Sequence, residues 1–142
     1  MEDDKLLSEN DICFHLNALK KLALADGVYH DSEKRFIDQI TQMYCSSYPD
    51  LDFEALQERE LSEEEYAQGL EKLKQNILLS KLFLKDLISL GHVDGHYSDP
   101  ERKRVREMAT QLNISEDSIQ LLEQAVDSVI NASVLMNQAI FS

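Results

Sequence analysis

The chain of 142 residues has no tryptophan, four glycines, two prolines and two cysteines, and 14 basic residues against 27 acidic ones. Each shortage excludes something. So little glycine and proline leaves few tight turns for a β-rich chain, and no segment alternates apolar with polar residues as a half-buried strand does. Cys13 and Cys45 are too few for a disulfide scaffold and form no Cys-x-x-Cys pair, so reduced, buried thiols are expected. A hairpin turning near Tyr29 would nonetheless bring the two roughly level. A net charge of −13 disfavours nucleic acid and anionic membrane surfaces, and favours cations or basic protein surfaces as partners. The most apolar segment, residues 77–90, is interrupted by Lys81, Lys85 and Asp86. It falls short of the roughly 18 consecutive apolar residues a membrane span needs, and reads instead as a central core helix. The opening Met1-Glu2-Asp3-Asp4-Lys5 has neither the basic region nor the apolar run of a signal peptide, so a cytoplasmic location is expected. Gly-x-Ser-x-Gly, His-Glu-x-x-His, a phosphate-binding loop, a dinucleotide glycine fingerprint and Glu-x-x-His are missing too, which argues against an enzyme.

What is present is helix-forming sequence, 43% hydrophobic and rich in Leu, Ala, Glu, Lys and Gln. It predicts one all-α domain over residues 1–142. Ser8-Glu9-Asn10-Asp11 resembles a capping box, followed by Ile12, Leu16, Leu19, Leu22 and Ala23 at helical spacing as far as Asp26-Gly27. A second helix opens near Asp31, buries Phe36, Ile37, Ile40 and Tyr44, and breaks before Pro49. A short helix around Phe53 and Leu56 precedes another box, Ser62 to Glu65, with Tyr66, Leu70, Leu73 and Ile77 behind it. Around residues 76–80 the chain either bends or runs straight into a helix carrying Leu84, Leu87, Ile88 and Leu90. Val105, Met108 and Leu112 mark the next helix. Ser115 caps a last one, whose Leu122, Val126, Val129, Ser133, Met136 and Ile140 alternate at three and four. That stripe predicts packing along the bundle, and a second apolar row (Leu121, Ala125, Ala132, Leu135, Ala139) leaves homodimerisation through this helix open.

One phrase occurs twice. Asp26-Gly27-Val28-Tyr29-His30-Asp31-Ser32-Glu33 returns as Asp94-Gly95-His96-Tyr97-Ser98-Asp99-Pro100-Glu101, each copy set between apolar helical runs. The duplicated helix-turn-helix units cover about 9–48 and 77–116. Lys20 in the first stands where Ile88 stands in the second, which predicts that the second copy is the more buried.

The phrase has the later part of an EF-hand loop, but Leu22, Leu24, Leu90 and His92 occupy the positions where the earlier ligands belong. Helix capping accounts for much of it: Gly27 and Gly95 end helices, and Ser98-Asp99-Pro100-Glu101 is itself a capping box. Capping explains the Asp before each Gly poorly, because a carboxylate at a helix C-terminus opposes the dipole. The alternative is a composite divalent-metal site from Asp26, Glu33, Asp94 and Glu101, with Asp31, Asp99, His92 and His96 as secondary candidates. It requires the first helices of the two repeats to run parallel. The acidic stretch 52–65 reads as a solvated face able to receive a basic partner, and Lys34, Arg35, Arg102, Lys103, Arg104 and Arg106 as surface cations paired with nearby acids.

The segments LALADGVYHDSEKRFI and LGHVDGHYSDPERKRV resemble the paired Ala-Asp-Gly...Glu phrases of the TerB-like tellurite-resistance family, itself similar to the N-terminal region of some membrane-anchored DnaJ-type co-chaperones. The likeness spans roughly residues 16–122. It implies a compact domain of about seven helices, a free-standing role in tellurite and other chemical stress, and metal-binding acids that fall on Asp26, Glu33, Asp94 and Glu101. Val93 replaces the small residue often found before the second Asp, and His92 matches no family role. The expected function is thus a non-enzymatic stress-response module that binds a divalent metal and a protein partner. The alternative is a purely structural interaction domain whose repeated acids only cap helices.

Overall fold

A computed structural model describes residues 7–25, 27–93, 95 and 97–142, and among them the secondary structure is helical. The elements are α1 (Glu9–Ala23), α2 (Asp31–Ser47), α3 (Phe53–Glu58), α4 (Glu63–Lys74), α5 (Ile77–His92), α6 (Asp99–Gln111) and α7 (Glu116–Phe141). The all-α expectation holds. Ser8, Ser62 and Ser98 each accept the N–H three residues on, while Asp11, Glu65 and Glu101 reach back to the N-cap N–H. Asn76 accepts from the Leu79 N–H and opens α5, so the chain breaks there rather than running straight on. Gly27 and Gly95 have φ of 86° and 84°, the left-handed region that their turns require.

Two helices make the centre. α1 packs against α2, α3, α4, α5 and α6, and α5 against α1, α2, α4, α6 and α7. Leu16, Leu19, Leu84, Ile88, Ile37 and Val105 are among the fully enclosed side chains of the core between them. The contrast at the odd pair is real: Ile88 is enclosed, whereas Lys20 is half-buried and donates from Nζ to the Gln57 carbonyl. The wider expectation of a more buried second copy is overturned. Ten residues of α1 are buried against seven of α5, whose Ile77, Leu78 and Leu82 are exposed. Hydrophobicity undercounts α1 because it buries His15 and Asn17. Asn17 Nδ2 donates to the Cys13 and Arg59 carbonyls at 2.9 and 3.1 Å, and its Oδ1 accepts from the Leu61 N–H at 3.1 Å. One amide thereby ties the α3–α4 connection to the central helix. Cys13 is buried and Cys45 half-buried, and both are free thiols.

α7 divides in two. Ile119, Leu122, Val126 and Ile130 pack toward the core, but every residue from 131 onward is exposed. Core packing therefore covers only its first half, because the bundle ends before the helix does. Among the described residues no helix is long and apolar enough to cross a membrane.

Candidate functional site

The ring of Phe14 on α1 stacks on Phe83 of α5 with centroids 5.5 Å apart, and His15 Nε2 lies 3.2 Å from Asp86 Oδ2. Toward the starts of both helices, Asp11 and Leu79 share a groove with Leu7 and Asn76, which lie just before α1 and α5. Advancing along α1 thus advances along α5, so the two run in the same direction. α2 runs back against them, its Tyr44 meeting His15 while Phe36 lies with Ser89 and His92. The C-terminal ends of α1 and α5 therefore lie at one end of the bundle. Asp26, Asp94 and His96 lie outside the described residues.

The two glutamates of the phrase are core residues. Glu33 is fully enclosed and Glu101 is 1% exposed. Glu33 Oε1 accepts from the His30 N–H at 2.9 Å, and Glu101 Oε1 from the Ser98 N–H at 2.8 Å. Each carboxylate therefore closes the first turn of the helix after its turn, with one oxygen committed to the cap. Gly91 allows this packing: a Cβ there would sit 2.6 Å from Tyr97 Cδ1 and 3.8 Å from Glu101 Oε1. Asp31 and Asp99 are exposed in the first turns of α2 and α6, suited to the helix dipole. His92 is half-buried with its ring 4.9 Å from that of Tyr97. Among the described residues, no group of three or more His, Cys, Asp or Glu is placed to hold a metal ion.

Sequence reasoning missed a polar cluster where α1, α2 and α5 meet. His15, 8% exposed, has Nδ1 2.5 Å from the Tyr44 hydroxyl and Nε2 beside Asp86. The second contact is close enough for an ion pair but poorly aligned for a hydrogen bond. Burial opposes the charge of Asp86, yet the facing His15 ring and the Lys85 ammonium, 3.3 Å away, outweigh it and hold the carboxyl below its usual range. Burial, and then the charge of Asp86, push the Tyr44 phenol far above its ordinary value. The cluster lines a groove of about 530 Å³ with Phe14, Leu79 and Phe83 among its walls. His15 and Asp86 lie on helices far apart in the chain, so no local motif announces them.

This geometry carries a pH dependence. A carboxyl whose folded pKa is depressed adds stability that is complete above its unfolded pKa, near about 4, and lost as pH falls through the folded value. Asp86→Asn is expected to lower Tm at neutral pH and to flatten its fall between about pH 5 and 2. Thermal melts across that range check it. An acid limb as steep as that of the parent chain would assign the loss to other carboxylates.

A second ion cluster fastens α7 to α6. Glu123, 8% exposed, accepts from the Tyr97 hydroxyl at 3.0 Å and from Arg102 and Arg106 at 3.3 and 2.6 Å. Arg106 also reaches Glu116. Burial, then the charge and hydrogen bond of Glu123, raise the Tyr97 phenol well above its usual value. Arg102 and Arg106 thus have the pairing use read for the basic residues, while Lys34, Arg35, Lys103 and Arg104 stay exposed. Within the acidic stretch, Arg59 joins Glu9, Glu65 and Asn10.

Comparisons of the chain with protein-family models, with curated proteins and with solved structures found no match.

Proposed function

We propose that the chain is a non-enzymatic, cytoplasmic stress-response module of the tellurite-resistance kind. It works by protein contact, its repeated glutamates cap helices, and it forms a homodimer through α7. The observation that carries the contact reading is the bare half of α7, where Leu135, Met136, Ile140 and Phe141 are 60–81% exposed. A helix of that length with no tertiary contact is marginal in water, so a partner supplies what the bundle does not. Met136→Glu with Ile140→Glu is expected to turn a dimer into a monomer whose bundle still folds, since both positions lie outside its core. Sedimentation over a concentration series measures this, and a parent chain that stays monomeric throughout removes the homodimer.

A second reading, a divalent ion held between the turns, is favoured by the parallel course of α1 and α5. With Glu33 and Glu101 committed to caps, it rests chiefly on Asp26 and Asp94 supplying hard oxygen ligands. Calorimetric titration with calcium, magnesium, zinc and manganese is expected to give heat that Asp26→Asn and Asp94→Asn abolish. No heat and no thermal shift with any of the four defeats it.

A further inference from the structure

The bare part of α7 is unusual in charge as well as exposure. Residues 128–142 carry no ionisable side chain, in a chain of net charge −13. Two copies that met through their bundles would bring like charges together, whereas two that met through this segment would not. Its three-four stripe, followed outward from Val126, consists of Val129, Ser133, Met136 and Ile140, the a and d positions of a heptad. Val126 is buried against the bundle and Val129 is 66% exposed, so the stripe leaves the core and continues into solvent as one surface.

The order of sizes along the stripe selects a direction. In a parallel pair each residue meets itself, which sets Ser133 against Ser133 and leaves a polar, underfilled layer. In an antiparallel pair a meets d: Val129 faces Ile140 and Ser133 faces Met136, and every layer is filled by one larger and one smaller side chain. The antiparallel pair also sets the two acidic bundles at opposite ends. The points where each α7 leaves its bundle are then separated by the rise from Val129 to Ile140, about 16 Å of helix, which is about two Debye lengths at physiological salt. Phe141, one residue past Ile140 and 81% exposed, comes level with Ser128 of the other copy. There α7 borders a mostly apolar groove of about 550 Å³ between α2, α5 and α7, with Phe36, Val93 and Ile130 in its walls.

We propose that a second copy of this chain docks antiparallel along α7, Val129 against Ile140 and Ser133 against Met136, with each Phe141 seated in the other copy's groove at Phe36, Val93 and Ile130. This rests on the homodimer proposed above and adds its direction and its anchor. The test uses the full chain in a Cys45→Ser background, Cys13 being buried. Val129→Cys and Ile140→Cys chains are oxidised separately and as a mixture, and dimers are read on non-reducing gels. Disulfide-linked dimers are expected from the mixture alone, each holding one chain of either kind. Phe141→Ala is expected to weaken dimerisation at least tenfold in sedimentation, with the bundle still folded. Cross-linking by each single variant and none between them means a parallel pair, which overturns the direction while leaving the homodimer standing. An unaltered dimer in Phe141→Ala overturns the anchor, and a parent chain that is monomeric at every concentration overturns both the dimer and its direction.

Discussion

An Ile88→Lys chain is expected to lose on the order of 5 kcal/mol of stability, as much as the whole stability of a domain at the low end of the ordinary range. Lysine is what α1 carries at Lys20, the position that aligns with Ile88 when the two Asp-Gly phrases are superposed in sequence. The substitution fails for a reason visible in the surroundings. Lys20 leaves α1 at a half-buried edge where its stem covers apolar surface and its ammonium finds the Gln57 carbonyl of α3. Burial lowers the pKa of even this lysine. Ile88 has no such exit: it is fully enclosed, on a helix covered by α1, α2, α4, α6 and α7. The reciprocal Lys20→Ile is expected to change stability by less than about 1 kcal/mol. Urea unfolding followed by far-UV circular dichroism measures both, and equal losses for the two would mean that the halves are buried alike.

The second large effect is expected at the twin glutamates. Glu33→Ala and Glu101→Ala should each cost about 2–4 kcal/mol, combining a lost cap, a partly buried N–H that loses this acceptor and a cavity. The same motif at the surface supplies the control. Glu65 closes a capping box with Ser62 in the same way but is exposed, and Glu65→Ala should cost only a small fraction of that. Gln at 33 or 101 keeps an acceptor oxygen and most of the volume, so it should fall between. If Ala at 33 and 101 is tolerated as well as Ala at 65, the buried carboxylates are not what holds the turns.

These two sites also mark how far the sequence could be read. Helix positions were legible because caps are local: Ser8, Ser62, Ser98 and Ser115 announce themselves within four residues, whereas the break at Asn76, a cap with no glutamate or aspartate three residues on, stayed open until the structure placed it. The parallel course of α1 and α5 was not, since it depends on contacts between halves that no periodicity encodes. Nor was the division of α7, whose apolar stripe reads the same whether a bundle or a second chain covers it. The phrase Asp-Gly...Glu could be found by repetition, but repetition does not separate a carboxylate that faces solvent from one that folds back to cap a helix. His15, Tyr44 and Asp86 were the least legible: each is an ordinary helix residue until three helices cross.

The central place of α1 has a kinetic consequence. This helix precedes the others, yet much of what encloses it belongs to α5 and α6, far along the chain. A bundle of successive hairpins can fold piece by piece as it is made, each helix finding the one before it. Here α1 and α2 can pair early, but the apolar face meant for α5 stays uncovered until that later helix has been synthesised. The bundle should therefore fold more slowly than its helix content suggests, and an interrupted chain that stops before α5 should be prone to aggregation.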